Sequence, residues 1–174
     1  MTERKNIMKD ENKHNDIFTM QNDIDYSSAR EKVNYEICDT VGNIYKELLE
    51  NGYTLQSISD EFLKSDFCKR QFDTNYSTFQ LDDDTSIYYF LKECGKNLIK
   101  KAEKSYASDI AYWIGFMYRY IYIHTGISSS KICDIVPFDD MLKYIERTMY
   151  PFEEYSEDEV FEIIDKDKNF NQYK

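Results

Sequence analysis

The stretch from Ile110 to His124, IAYWIGFMYRYIYIH, constrains the fold of this chain more than any other. It holds the only Trp, Trp113, four of the 16 Tyr, and one full charge, Arg119. At about 100° per residue, Ile110, Trp113, Ile114, Met117, Ile121 and His124 share one helical face, and Tyr112, Phe116, Tyr120 and Ile123 a second. Ala111, Gly115, Tyr118, Arg119 and Tyr122 fill the rest. A helix apolar on nearly every side is buried on nearly every side. The stretch is too short, and too rich in hydroxyls, for a bilayer that needs about 20 apolar residues. Its β-branched and aromatic content also suits a strand, but its length and the Thr125-Gly126 stop favour a helix. The expectation is an all-α, compact multi-helix bundle around one buried aromatic helix at about 110–124.

The rest of the composition fits that reading. With 174 residues, 41% of them hydrophobic, the chain is long enough for one domain with a core. Only 5 Gly and 2 Pro argue against a turn-rich all-β fold. The formal net charge of −11 leaves no basic excess to neutralise phosphates, so direct nucleic-acid binding is not expected. Such a charge is compatible with plain solubility, a basic protein partner, or a surface imitating nucleic acid. Cys38, Cys68, Cys94 and Cys133 are widely spaced and read as ordinary buried thiols rather than a zinc site. The opening MTERKNIMKDENKHND has no apolar core of a signal peptide, so the expected compartment is cytoplasmic. Lys outnumbers Arg, and Asn, Ile and Tyr are common, a usage associated with AT-rich bacterial or phage coding.

Read in order, residues 1–27 form a polar segment expected to be a flexible tail, or one that orders on a partner. A single helical domain is expected over 28–166, and a frayed tail over 167–174. Ser28 to Glu31 is a capping-box pattern opening a first helix that stops at Asn51-Gly52. Thr54 caps a second helix and Ser65 a short third. Their arrangement resembles a helix-turn-helix, but Asp60 and Glu61 on the would-be reading helix oppose phosphate contact. Asp82, Asp83 and Asp84 lack the spacing of a calcium loop and suit a helix N-terminus. The next helix is expected from Ser86 to Lys104, with Gly95 permitting a close helix approach and Lys96, Lys100, Lys101 and Lys104 at its basic end. Ser108 is expected to cap the central helix. Short helices follow from Ser128 and Phe138, broken at Val136-Pro137 and Tyr150-Pro151. Ser156 to Glu159 is a second capping box.

No catalytic motif occurs: there is no phosphate-cradling glycine loop, no nucleophile elbow and no paired-histidine zinc motif. No cofactor and no metal are expected. The candidate partner- or ligand-binding residues are Tyr112, Trp113, Tyr118, Arg119, Tyr120 and His124. Arg119 is costly to bury without a partner. Either it pairs with an internal acid and locks helices together, or it anchors a carboxylate or phosphate of a partner or nucleotide. His124 either packs at a helix end or carries protons in a Tyr-lined pocket. The Tyr-rich wall is either core, interface, or a stacking platform.

At AYWIGFMYRYIYIHTGISSSKICDIVPFDDMLKYIERTMY (111–150) the chain resembles a family of small helical bacterial proteins with a core like FWIGYIYRYWHYxTGESSKxIYKxxP. The matching residues are Tyr112, Trp113, Ile114, Gly115, Tyr118, Arg119, Tyr120, Thr125, Gly126, Ser129, Ser130, Lys131, Ile132 and Pro137. Upstream, YTLQSISDEFLKS is similar to the family's GYSLEEISERFLKS. The resemblance spans roughly 45–165, and its specificity lies in the central block. The family's YHT segment is replaced here by Arg147-Thr148-Met149-Tyr150, and the N-terminal segment is longer. The resemblance implies an antitoxin component encoded beside a small ADP-ribosyltransferase-like toxin. The leading expectation is therefore a non-enzymatic interaction protein that neutralises a toxin-like partner. The alternatives are a nucleotide-binding or transferase-like enzyme using Arg119 and His124, and a phage-type acidic inhibitor of a host nucleic-acid-binding protein.

Overall fold

The computed structural model describes residues 26–74, 82–101, 106–151 and 154–174, with side chains from Lys32 onward. The chain divides into two units, Met1–Lys32 and Val33–Lys174, and the contacts below belong to the second. The segment expected as a tail lies outside the described residues up to position 25. Among the described residues the elements are helical: α1 (Tyr26–Glu50), α2 (Leu55–Lys64), α3 (Asp66–Gln71), α4 (Asp83–Cys94), α5 (Ser108–Thr125), α6 (Ser129–Ile135), α7 (Phe138–Thr148) and α8 (Glu157–Lys168). No described helix is long and apolar enough to cross a membrane.

The helix boundaries follow local chemistry. Gly52 at φ 89° turns the chain out of α1. The Thr54 hydroxyl accepts from Ser57 N and opens α2, and the Ser65 hydroxyl accepts from Cys68 N and opens α3. Asp82 caps α4, with Asp83 and Asp84 in its first turn where acids suit the helix dipole. Gly126 at φ 70° ends α5. Ser156 and Glu159 form a reciprocal capping box on α8.

α5 is the central element, as its composition predicts. It packs on α6, α7 and α8, and ten of its residues from Ile110 to Ile121 are buried. Against α1 the approach is close enough to require glycine. A Cβ on Gly115 would lie 2.7 Å from the Val41 carbonyl and 2.8 Å from the Tyr45 ring, and one on Gly42 would lie 2.7 Å from the Tyr112 ring. On the far side, Phe62 meets Tyr45, Phe67, Phe72 and Phe90 at centroid distances of 5.3–6.3 Å. Each such fully buried ring contributes about 1.5–3 kcal/mol by leaving water.

Five sequence expectations are corrected. α4 ends at Cys94, not Lys104: a 3-10 turn at Gly95–Asn97 follows, and Leu98 turns inward with extended backbone. Thr54 N then donates to Ile99 O (2.9 Å). Gly95 therefore serves this turn and not a helix crossing; its Cβ would meet only Leu91 at 3.5 Å. The Lys cluster is not at a helix end, and Lys104 lies outside the described residues. Ser108 is the first residue of α5 rather than its cap, and its hydroxyl donates to Glu50 (2.8 Å). The C-terminal segment is not frayed. Asn169 in the left-handed region ends α8 and sends Phe170 into the core, where it is 1% exposed and stacks on Phe161.

Candidate interaction surface

The six candidate residues lie on one helix but belong to two environments. Trp113, Tyr118 and Arg119 are inside. Tyr118 is a core ring whose hydroxyl donates to the Val136 carbonyl (3.0 Å). Trp113 packs edge-on against Tyr112 and Phe116.

Arg119 takes the internal pairing of its two alternatives. Only 5% exposed, it places Nη1 at 3.6 Å from Asp73 Oδ1. Its guanidinium lies 4.1 Å from the Tyr122 ring centroid and 5.9 Å from that of Phe72. Asp73, just beyond α3, also accepts from Ser129 N (2.8 Å) and Ser129 Oγ (2.5 Å) at the start of α6. One carboxylate thus ties α5, the exit of α3 and the entry of α6. Burial pushes the Arg119 pKa below its ordinary value, opposed by the nearby Cys68, Tyr122 and Asp73. Nε and Nη1 make no hydrogen bond among the described residues.

Tyr112, Tyr120 and His124 lie on a reachable side. With Phe116 beneath them they form a column at helical i, i+4 spacing: Tyr112–Phe116 5.9 Å, Phe116–Tyr120 5.9 Å, Tyr120–His124 4.2 Å. Phe161 of α8 closes the column 5.1 Å from His124, and Tyr35 of α1 meets Phe116 edge-on at 5.1 Å. Each phenol on this side ends on a carboxylate. Tyr112 donates to Asp39, Tyr120 to Asp158, and Tyr35 to Glu157 (2.5 Å). Burial first, then these acids, raise the three phenol pKa values well above the ordinary range. Burial pushes the Cys38 thiol beneath them up to about 12. Burial lowers the pKa of His124, with Asp158 opposing, so the ring is neutral at pH about 7.

No Lys or Arg of the described residues lies within ion-pair distance of Asp39, Glu157 or Asp158. Among the described residues these carboxylates are thus met by neutral donors, with no cation beside them. Sequence reasoning found the α5 half of this surface and missed Tyr35, Asp39, Glu157 and Asp158. The one local signal was Tyr35 and Asp39 four residues apart on α1; Glu157 and Asp158 read simply as acids of a helix start.

None of the six candidates lines either of two cavities among the described residues. A cavity of about 680 Å³ is lined instead by Tyr53, Thr54, Asp60, Glu61 and Phe138 among others. Of the Lys cluster, Lys100 lies 4.7 Å over the Tyr53 ring. Among the described residues no group of three or more His, Cys, Asp or Glu is placed to hold a metal ion. The chain matches no protein family, no curated protein and no solved structure.

Proposed function

We propose that this chain acts by binding another protein rather than by catalysis, as an antitoxin-like module that covers the active site or nucleotide cleft of a toxin. The observation that carries this reading is the division of the α5 residues. Arg119, the residue best suited to hold a substrate phosphate, is turned into the core against Asp73. The aromatic residues that stay reachable stand beside carboxylates on α1 and α8 that have no ion-pair partner among the described residues. An enzymatic pocket built on Arg119 and His124 would need the two on one cavity wall. They instead face different neighbours, Tyr122 with Phe72 and Tyr120 with Phe161. The resemblance of residues 111–150 to antitoxin-like proteins supports the choice of partner, an ADP-ribosyltransferase-like toxin.

The test is coexpression with the product of the adjacent gene. The expected result is a stable complex on size exclusion and relief of growth arrest by this chain. Growth arrest that persists, together with separate elution of the two proteins, overturns the reading.

A further inference from the structure

The charge distribution around α5 narrows what such a partner must offer. Some acids elsewhere are neutralised by local ion pairs, as at Arg70–Glu93 (2.7 Å) and Lys168–Asp140 (2.6 Å), and Asp167 accepts from the Tyr144 hydroxyl. Among the described residues, Asp39, Glu157 and Asp158 meet only tyrosine hydroxyls. A phenol orients a carboxylate without cancelling its charge. Flat rings lie beside these acids: Tyr35 is 43% exposed, and His124 is exposed and neutral.

A carboxylate next to an aromatic face is the environment that suits a guanidinium, which forks onto the acid and lies flat on the ring. The molecule places its own Arg119 between the same two kinds of group, with Asp73 Oδ1 3.6 Å from Nη1 and the Tyr122 ring centroid 4.1 Å from the guanidinium. We infer that the face formed by Tyr35, Asp39, Tyr120, His124, Glu157 and Asp158 receives arginine side chains from a basic surface of a protein partner. The net charge of −11 steers such a partner toward the chain. This inference rests on the interaction reading above, but it concerns the chemistry of the contact and not the partner's identity as a toxin.

The test uses the full chain and a short peptide alternating arginine and glycine, with lysine–glycine and glutamate–glycine versions, by titration calorimetry. The variants are Asp39→Asn/Glu157→Gln/Asp158→Asn and a charge-matched control at exposed sites elsewhere, Asp66→Asn/Asp109→Asn/Glu146→Gln. The expected result is arginine binding weakened about tenfold or more by the first set and less than about threefold by the second. Lysine peptide should bind more weakly than arginine, and glutamate peptide not at all. Equal weakening by both sets overturns the inference, because net charge alone then explains the binding. Equal affinity for lysine and arginine also overturns it.

If the first triple variant fails to fold by circular dichroism, Tyr35→Leu replaces it, since leucine keeps an apolar contact on Phe116 and removes the exposed ring. That variant should weaken arginine binding severalfold, and unchanged affinity overturns the inference. Arginine binding at this face without toxin relief sinks the antitoxin reading alone. Toxin relief that survives the first triple variant sinks the present inference alone.

Discussion

The two sides of α5 handle charge in opposite ways. On one side Arg119 and Asp73 are both buried, at 5% and 8% side-chain exposure, and opposite charges meet. On the other, Asp39 and Asp158 lie nearer solvent and meet phenols. The difference follows from desolvation. A charge taken fully out of water needs an opposite charge or it costs several kcal/mol. A carboxylate that keeps some water needs only a donor to orient it. The first arrangement consumes its charge in holding helices together. The second leaves its charge available to something outside.

The sharpest way to break this contrast is to remove one partner on the buried side. Asp73→Ala leaves Arg119 unpaired in the core and removes both Ser129 bonds, and should cost about 3–5 kcal/mol in urea unfolding. Adding Arg119→Met should recover much of that loss, because no buried charge then remains. A loss under about 1 kcal/mol for Asp73→Ala would show that the pair does not hold these helices. Next comes the α1–α5 seam beneath both sides. Gly115→Ala drives a methyl into the Val41 carbonyl and Tyr45 ring, and should cost about 1–3 kcal/mol. Tyr120→Phe, on the open side, removes one partly exposed bond to Asp158 and should cost only about 0.5–1.5 kcal/mol. A loss as large as that of Asp73→Ala would erase the distinction between the sides.

The smallest effect is in pH. His124 has a folded pKa below its ordinary 6.5. The unfolded chain therefore takes up a proton first as pH falls. This contribution to stability is complete above pH about 6.5 and is lost as pH drops through that value toward the folded pKa. Thermal unfolding at pH about 7.5 and about 5.5 should show the midpoint falling, and His124→Asn should flatten the difference. Asp140 is lowered by Lys168 and titrates in a more acidic window, so it does not mask the His124 effect.

What the sequence made legible was local. Thr54, Ser65 and Ser156 cap where spacing predicts, and Gly126 stops α5 where its side-chain-free turn is needed. The aromatic helix is central because nothing else could cover so much apolar surface. What escaped was set by neighbours distant in the chain. Periodicity carries α4 past Gly95, but a bond from Thr54 N to Ile99 O holds that segment extended instead. The polar run after Asp165 reads as a tail, yet one apolar residue, Phe170, seats it. Arg119 announced that it needed a partner without saying which. Asp73 stood at the start of a loop with no periodicity to aim it. Gly42 and Gly115 are unremarkable alone and have meaning only as a crossing.

Trp113 has an optical consequence. It is the single tryptophan, buried, with the Tyr112 ring at 5.0 Å and Phe116 at 5.3 Å. Tyr112 is close enough to pass its excitation to the indole, so tryptophan emission originates on α5. Tyr112 and Phe116 connect that indole directly to the carboxylate face. A partner that settles on Tyr35 and Tyr120 is thus expected to alter the colour or yield of this one fluorophore, so that the native protein reports its own occupancy without a label.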